Sequence, residues 1–273
     1  KPGSLVTSNT SSIPISLLAD GRSDEFRNHF CGTHFFNPPR YLRLLEVIPI
    51  KETLQDVIDF FMSFGDITLG KQTVLCRDTP AFIANRIGVM SGTALVHLTI
   101  DYKMSIEEVD AITGPLIGRP NTATFKLQDL VGLDTSEKVS SFVTSTVKND
   151  DFFEDLKTKK VPAFMNYLLD NKFYGNKSGK GFYQKTKERD SKGRSIINVL
   201  NLETLEYEKT VRPKLKIVKE GKSIQNMGKR LSFLVSGDDR ENIFLKDYFV
   251  GLFNYSAQRA PEIASAYYQI DDA

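Results

Sequence analysis

The fold turns on residues 32–50, Gly32-Thr33-His34-Phe35-Phe36-Asn37-Pro38-Pro39-Arg40-Tyr41-Leu42-Arg43-Leu44-Leu45-Glu46-Val47-Ile48-Pro49-Ile50. Two apolar runs, Phe30 to Phe36 and Leu42 to Ile50, read as strands. Pro38-Pro39-Arg40-Tyr41 lies between them, and paired prolines, which lack the N–H a ladder needs, place a turn there. His34 and Glu46 are symmetric about Arg40, so a hairpin closing at that residue sets them opposite or nearly opposite, within side-chain reach.

Upstream, Leu5-Val6-Thr7 reads as the end of a strand. The polar turn Ser8-Asn9-Thr10-Ser11-Ser12 then leads into a short helix bearing Ile13, Leu17 and Leu18. A chain opening on a strand end predicts that the first part of the motif precedes Lys1. Downstream, Leu54, Val57, Ile58, Phe61 and Met62 have helical spacing within Lys51 to Phe64, and Gln72 to Cys76 reads as another strand. Strand, helix, strand in this order is the pattern of an α/β sheet. Past Asp78 the class changes. Pro80 is expected at the first turn of a helix running to about Ile100, and Ser105-Ile106-Glu107-Glu108 has the form of a capping box. Phe125 to Leu130, Ser136 to Val147 and Val161 to Leu169 complete an all-helical region over 80–183. Residues 184–213 are polar and mixed, with a strand at Ile196 to Leu200, and helices are expected near Ile224 to Val235 and Arg240 to Ala260. A weak repeat pairs Val109-Asp110 with Ile270-Asp271, and because its second copy stops where the first continues, the C-terminus is also expected to be cut short. The expected division is an α/β segment over 1–78, a helical domain over 79–183, and a connecting segment with a partial second helical repeat over 184–273.

Composition excludes several classes. The 273 residues are 40% hydrophobic and 26% charged, with a formal net charge of +2, which gives no electrostatic reason to expect nucleic acid. No apolar run approaches the roughly 18 residues of a membrane span. Cys31 and Cys76 alone do not make a disulfide scaffold, so a reducing, cytoplasmic compartment is expected.

Three groups of residues are candidates for chemistry. A histidine that takes up a proton near neutral pH needs its other ring nitrogen held, and a carboxylate such as Glu46 does this for His34 while stabilising the imidazolium. The alternative is a structural histidine at a strand end. Ser8 to Ser12 lies where open α/β sheets bind ligands, although an ordinary helix N-cap also explains it. Asn85-Arg86 lies inside a helix, where asparagine is a mediocre residue unless it faces a cleft. A metal site is not expected: His29, Cys31 and His34 do not share strand parity, and no second ligand cluster completes a set. A Ser11–His34–Glu46 hydrolase is a rival, without the Gly-x-Ser-x-Gly elbow.

Taken together, Ser8-Asn9-Thr10-Ser11-Ser12, Gly32 to Pro38, Leu45-Glu46-Val47-Ile48-Pro49, Asp78-Thr79-Pro80-Ala81-Phe82-Ile83-Ala84-Asn85-Arg86, Val131-Gly132-Leu133-Asp134 and Ser178-Gly179-Lys180-Gly181-Phe182-Tyr183 resemble the 3-hydroxyacyl-CoA dehydrogenase family in its own order. The resemblance covers most of residues 4–183. It implies the C-terminal part of a Rossmann-type NAD-binding domain followed by the family's helical domain, and oxidation of a (3S)-hydroxyacyl-CoA to the 3-ketoacyl-CoA with NAD as cofactor. It casts His34 as general base and Glu46 as its orienting carboxylate. Ser11 and Asn85 would bond the reacting oxygen and the bound ligands, Ser11 also touching the cofactor, and Asn37 would lie beside the nicotinamide. It further implies an acyl-CoA partner and a homodimer through the helical domain. Two departures stand out: no Gly-x-Gly-x-x-Gly or acidic ribose ligand can be placed, and Met90 stands where the family usually has proline or a small residue. The lack of the glycine loop leads us to expect weak NAD binding by this chain alone. The region after 184 resembles longer members that act in fatty-acid β-oxidation, fused to a hydratase. A non-catalytic helical fragment for dimerisation or docking is the other reading of the same residues.

Overall fold

The computed structural model describes residue 1 and residues 3–273. The chain forms two compact units, one of residues 1–90, 142–150 and 252–273, the other of residues 91–141 and 151–251.

The first unit is an α/β layer. Its four strands, β1 (Val6–Ser8), β2 (Phe30–Phe35), β3 (Leu44–Pro49) and β4 (Gln72–Leu75), lie in that order across the sheet. β1 runs parallel to β2, β2 antiparallel to β3, and β3 parallel to β4. The double proline makes the hairpin turn, with a cis bond between Asn37 and Pro38, and the register sets His34 directly across from Glu46. Around the sheet lie α1 (Ile15–Ala19), α2 (Asp24–Asn28) and α3 (Gln55–Ser63), the last running on into a π turn over Phe64–Thr68. Ile15, Phe30, Ile48, Val74, Phe82 and Ile83 close a core that also takes in Ile263 and Ala264 from near the chain's end. Helix α2 was not expected, because five residues hold no apolar period. Its signals are local: Ser23 accepts the Phe26 amide, and Asp24 and Glu25 fill the first turn, where the helix dipole favours negative charge.

Residues 80–83 correct the expected helix start. Pro80 does not open the helix. Ala81 and Phe82 adopt left-handed backbone at φ 65° and 52°, and α4 begins only at Ala84, running to Asp101. The reason lies in the hydrogen bonds. The Asp78 carboxylate, rather than capping this helix, accepts the amides of Ile15 and Ser16 at the start of α1.

The second unit holds the rest of α4, then α5 (Ile106–Ile112), α6 (Phe125–Val131), most of α7 (Leu133–Thr146), α8 (Asp151–Thr158) and α9 (Ala163–Asp170). The capping box is present with both reciprocal bonds, Glu108 amide to Ser105 Oγ and Ser105 amide to the Glu108 carboxylate. Residues 184–213, expected to hold one strand, instead hold most of a three-stranded antiparallel sheet of β5 (Tyr183–Arg189), β6 (Ser195–Leu200) and β7 (Tyr207–Lys209). Its first turn is built by Asp190, whose carboxylate accepts the amides of Lys192 and Arg194. After it come α10 (Lys216–Ser223), α11 (Met227–Ser236), α12 (Arg240–Ile263) and α13 (Tyr268–Asp272), and the last part of α12 with α13 belongs to the first unit. A long helix followed by a short one thus occurs twice, as α4–α5 and as α12–α13, the elements in which the weak repeat was read.

Candidate active site

His34 Nδ1 lies 2.6 Å from Glu46 Oε2, and both side chains are buried. The other carboxylate oxygen, Oε1, accepts the backbone amides of Ile83 at 3.1 Å and Ala84 at 2.8 Å. Glu46 therefore sits on the positive end of α4, where free N–H groups and the helix dipole favour a carboxylate. With both oxygens engaged by donors, it acts as acceptor toward His34, so the proton on that side sits on Nδ1 and Nε2 is left as the basic nitrogen. Nε2 has no hydrogen-bond partner among the described residues. The ring is flanked by Phe36 and Phe82, with centroids 4.3 and 5.9 Å away.

Ser11 and Asn85 are brought together, though through the backbone: Asn85 Nδ2 donates to the Ser11 carbonyl at 2.9 Å. The Ala81 amide donates to the Ser12 carbonyl at 3.0 Å. The turn after β1 is thus laced through Ala81 and Asn85 to the start of α4, on either side of Ile83 and Ala84, whose amides hold Glu46. No bond joins Ser11 to His34 among the described residues. Asn37 lies exposed in the hairpin loop next to the cis bond.

Sequence reasoning gave no individual role to three further side chains near the pair. Asn9 Oδ1 accepts the Phe35 amide at 2.9 Å, tying the turn after β1 to the strand that carries His34. Asp78 holds the entrance of α1. Cys76 is buried beside the dyad, and burial together with the neighbouring Glu46 charge pushes its thiol far above the ordinary range, which leaves it protonated and inert. Of these, Asn9 lies in the Ser8 to Ser12 turn and Asp78 opens one of the family motifs, but neither motif tells what its side chain bonds, and Cys76 carries no signal.

Three polar atoms carry no partner among the described residues, His34 Nε2 and Asn85 Oδ1 as acceptors and Ser11 Oγ as donor or acceptor; groups of this chemistry could meet the nicotinamide end of NAD, whereas no Gly-x-Gly-x-x-Gly that would hold its pyrophosphate occurs in the 273 residues. Comparison with known proteins follows the same division. Residues 1–79 match the model of the 3-hydroxyacyl-CoA dehydrogenase NAD binding domain, and residues 82–185 match that of the 3-hydroxyacyl-CoA dehydrogenase C-terminal domain. A Bacillus subtilis protein named "Probable 3-hydroxyacyl-CoA dehydrogenase" is 41% identical over 273 residues, which is all of this chain and 33% of the relative. A Rickettsia prowazekii protein, provisionally named a fatty acid oxidation complex trifunctional enzyme, is 30% identical over 99% of this chain and 35% of its own length. The chain thus spans about a third of the length of these curated relatives. Among solved structures, 3-hydroxybutyryl-CoA dehydrogenase from Escherichia coli K12 superposes with a TM-score of 0.54 at 28% identity, over 70% of this chain and 38% of that one. The chain belongs to the 3-hydroxyacyl-CoA dehydrogenase family.

Proposed function

We propose that this chain carries the acid–base half of an NAD-dependent (S)-3-hydroxyacyl-CoA dehydrogenase. The observation that supports this reading is the buried 2.6 Å bond from His34 Nδ1 to Glu46. His34 Nε2 takes the proton of the substrate's 3-hydroxyl as C3 loses hydride, and the charge that forms on the ring is compensated by Glu46 at no cost in reorganisation. In the reductive direction the imidazolium returns that proton to the forming alkoxide. NAD, when bound, supplies the hydride acceptor. Ser11 and Asn85 orient the reacting oxygen from the end of β1 and the start of α4, and Asn37 borders the nicotinamide from the hairpin loop. Phe36 and Phe82 shield the imidazole from water.

The remaining parts of the proposal are an acyl-CoA substrate, a place in fatty-acid β-oxidation, a cytoplasmic setting and a homodimer through the helical segment. Domain boundaries at 78/79 and 183/184 belong to it as well. Two buried free cysteines accord with a reducing compartment. Among the described residues no helix is long and apolar enough to cross a membrane. The hydrolase reading lacks a bond from Ser11 to His34.

The test is turnover of acetoacetyl-CoA with NADH by the full-length protein and its His34→Gln variant. A drop of roughly 10²–10⁴-fold in turnover with NADH binding retained is the expected result. Full activity in the variant would remove His34 from the chemistry, and thioester cleavage without a nicotinamide would favour the hydrolase.

A further inference from the structure

Arg86 is the largest fully buried side chain of the protein. It follows Ala84, whose amide grips Glu46, and Asn85, whose side chain grips the Ser11 carbonyl. Its own side chain points to a different part of the chain. Nε donates to Tyr255 Oη at 2.8 Å, and Nη2 donates to Asp150 Oδ2 at 2.8 Å and to Glu262 Oε1 at 3.2 Å. Tyr255 Oη in turn donates to Asp150 Oδ2 at 2.9 Å, which closes a ring of three buried groups.

A buried ion pair is a poor source of stability, since desolvating both charges offsets most of their attraction and a packed apolar side chain does as well. What a guanidinium in such a ring supplies is direction: a rigid planar fork satisfied by several acceptors has one orientation, and so does the helical turn that bears it. That turn is the one whose amides hold Glu46. Further ties bind the same late segment to this region. The Arg77 amide donates to the Ile263 carbonyl at 3.1 Å, and Arg77 Nη1 donates to the Pro261 carbonyl at 2.8 Å. Ile263 and Ala264 pack in the core with Phe82 and Ile83. Neither matched family stretch, 1–79 or 82–185, includes this segment.

We propose that Arg86 is a positioning residue for the His34–Glu46 pair, anchored by Tyr255 and Asp150, so that residues 252–273 are part of the working active site. The inference rests on the dehydrogenase reading above for its kinetic arm only. Tyr255→Phe removes one hydroxyl and leaves the ring. Its expected signature is a roughly ten- to hundredfold fall in kcat with KM for the acyl-CoA within twofold, as a shift of the dyad requires. Independently of activity, the low-field proton resonance of His34 Nδ1–H, identified by its loss in His34→Gln, should move or broaden in Tyr255→Phe. A lower melting temperature with unchanged kcat per folded molecule and an unchanged resonance would overturn the proposal and leave the ring a stabilising feature only. If Tyr255→Phe does not fold, Glu262→Gln at the more exposed rim of the network carries the same two readouts, with the same outcomes for and against. If the wild-type protein shows no turnover, the resonance alone decides the positioning role, while the dehydrogenase reading falls separately.

Discussion

At the scale of single residues, the informative group is Glu46, because its two oxygens serve two different structures. Oε1 takes a pair of helix amides and Oε2 takes the imidazole. Glutamine in its place has only one oxygen. If that oxygen stays with the amides of Ile83 and Ala84, the new NH2 group faces His34 Nδ1, where two donors cannot meet. The imidazole resolves this by moving its proton to Nε2, the tautomer that cannot act as base. Glu46→Gln is therefore expected to lower kcat by about 10²-fold or more, less than His34→Gln, with the fold intact. Nitrogen chemical shifts of the His34 ring check it: an unchanged tautomer with full activity would contradict the argument. The pairing of His34 with Glu46 was legible in the sequence because the double proline located the turn and strand geometry did the rest. The amide contacts to Glu46 were not, since they depend on left-handed backbone at Ala81 and Phe82, and neither residue type signals that conformation.

Among the elements, the loop Gly175 to Tyr183 shows how a motif read as a family mark acts physically. Asp129 of α6 accepts the amides of Phe182 and Tyr183, both at 2.8 Å, and the backbone of Gly175 passes directly over the Asp129 main chain. A Cβ on Gly175 would collide with the Asp129 backbone, and its φ of 101° is strained for any other residue. A Cβ on Gly181 would meet the Asp129 carboxylate and Gly175 itself. Gly175→Ala is thus expected to destabilise the protein by about 2–4 kcal/mol, combining backbone strain with a backbone overlap that cannot relax. Denaturant unfolding measures this, and a loss under about 0.5 kcal/mol, the range of neutral surface changes, would show that the loop moves freely. The long helices were legible from apolar spacing and the capping box. The sheet of β5, β6 and β7 was mostly not, because β5, Tyr183-Gln184-Lys185-Thr186-Lys187-Glu188-Arg189, is largely polar and offers no apolar alternation to read.

For the molecule as a whole, the change of class near Asp78 was visible, yet the compact units do not follow the chain in order. The segment 252–273 joins the first unit, and no local pattern announces it, since Arg86, Asp150 and Tyr255 are distant in sequence and each is unremarkable alone. The second unit carries its own pH dependence. Burial raises the Asp129 carboxyl to about 6, against the opposing pull of the Tyr183 and Phe182 amides, and burial raises Asp110 in the same direction. A carboxyl whose folded value exceeds its unfolded value binds its proton more tightly in the folded state. Its stabilising contribution is complete below about 4 and is lost as pH rises through about 6. Between those limits Asp129 pulls the stability curve downward with rising pH, with a slope of at most ~1.4 kcal/mol per pH unit. Ion-paired carboxylates elsewhere in the chain pull the other way, so the decisive quantity is a difference. Asp129→Asn removes the titrating group, and its stability relative to the parent should improve as pH rises from about 4 to about 7. Parallel stability curves for the two proteins over that window, measured by denaturant unfolding, would mean that Asp129 does not titrate there and that the two amides, rather than burial, set its charge.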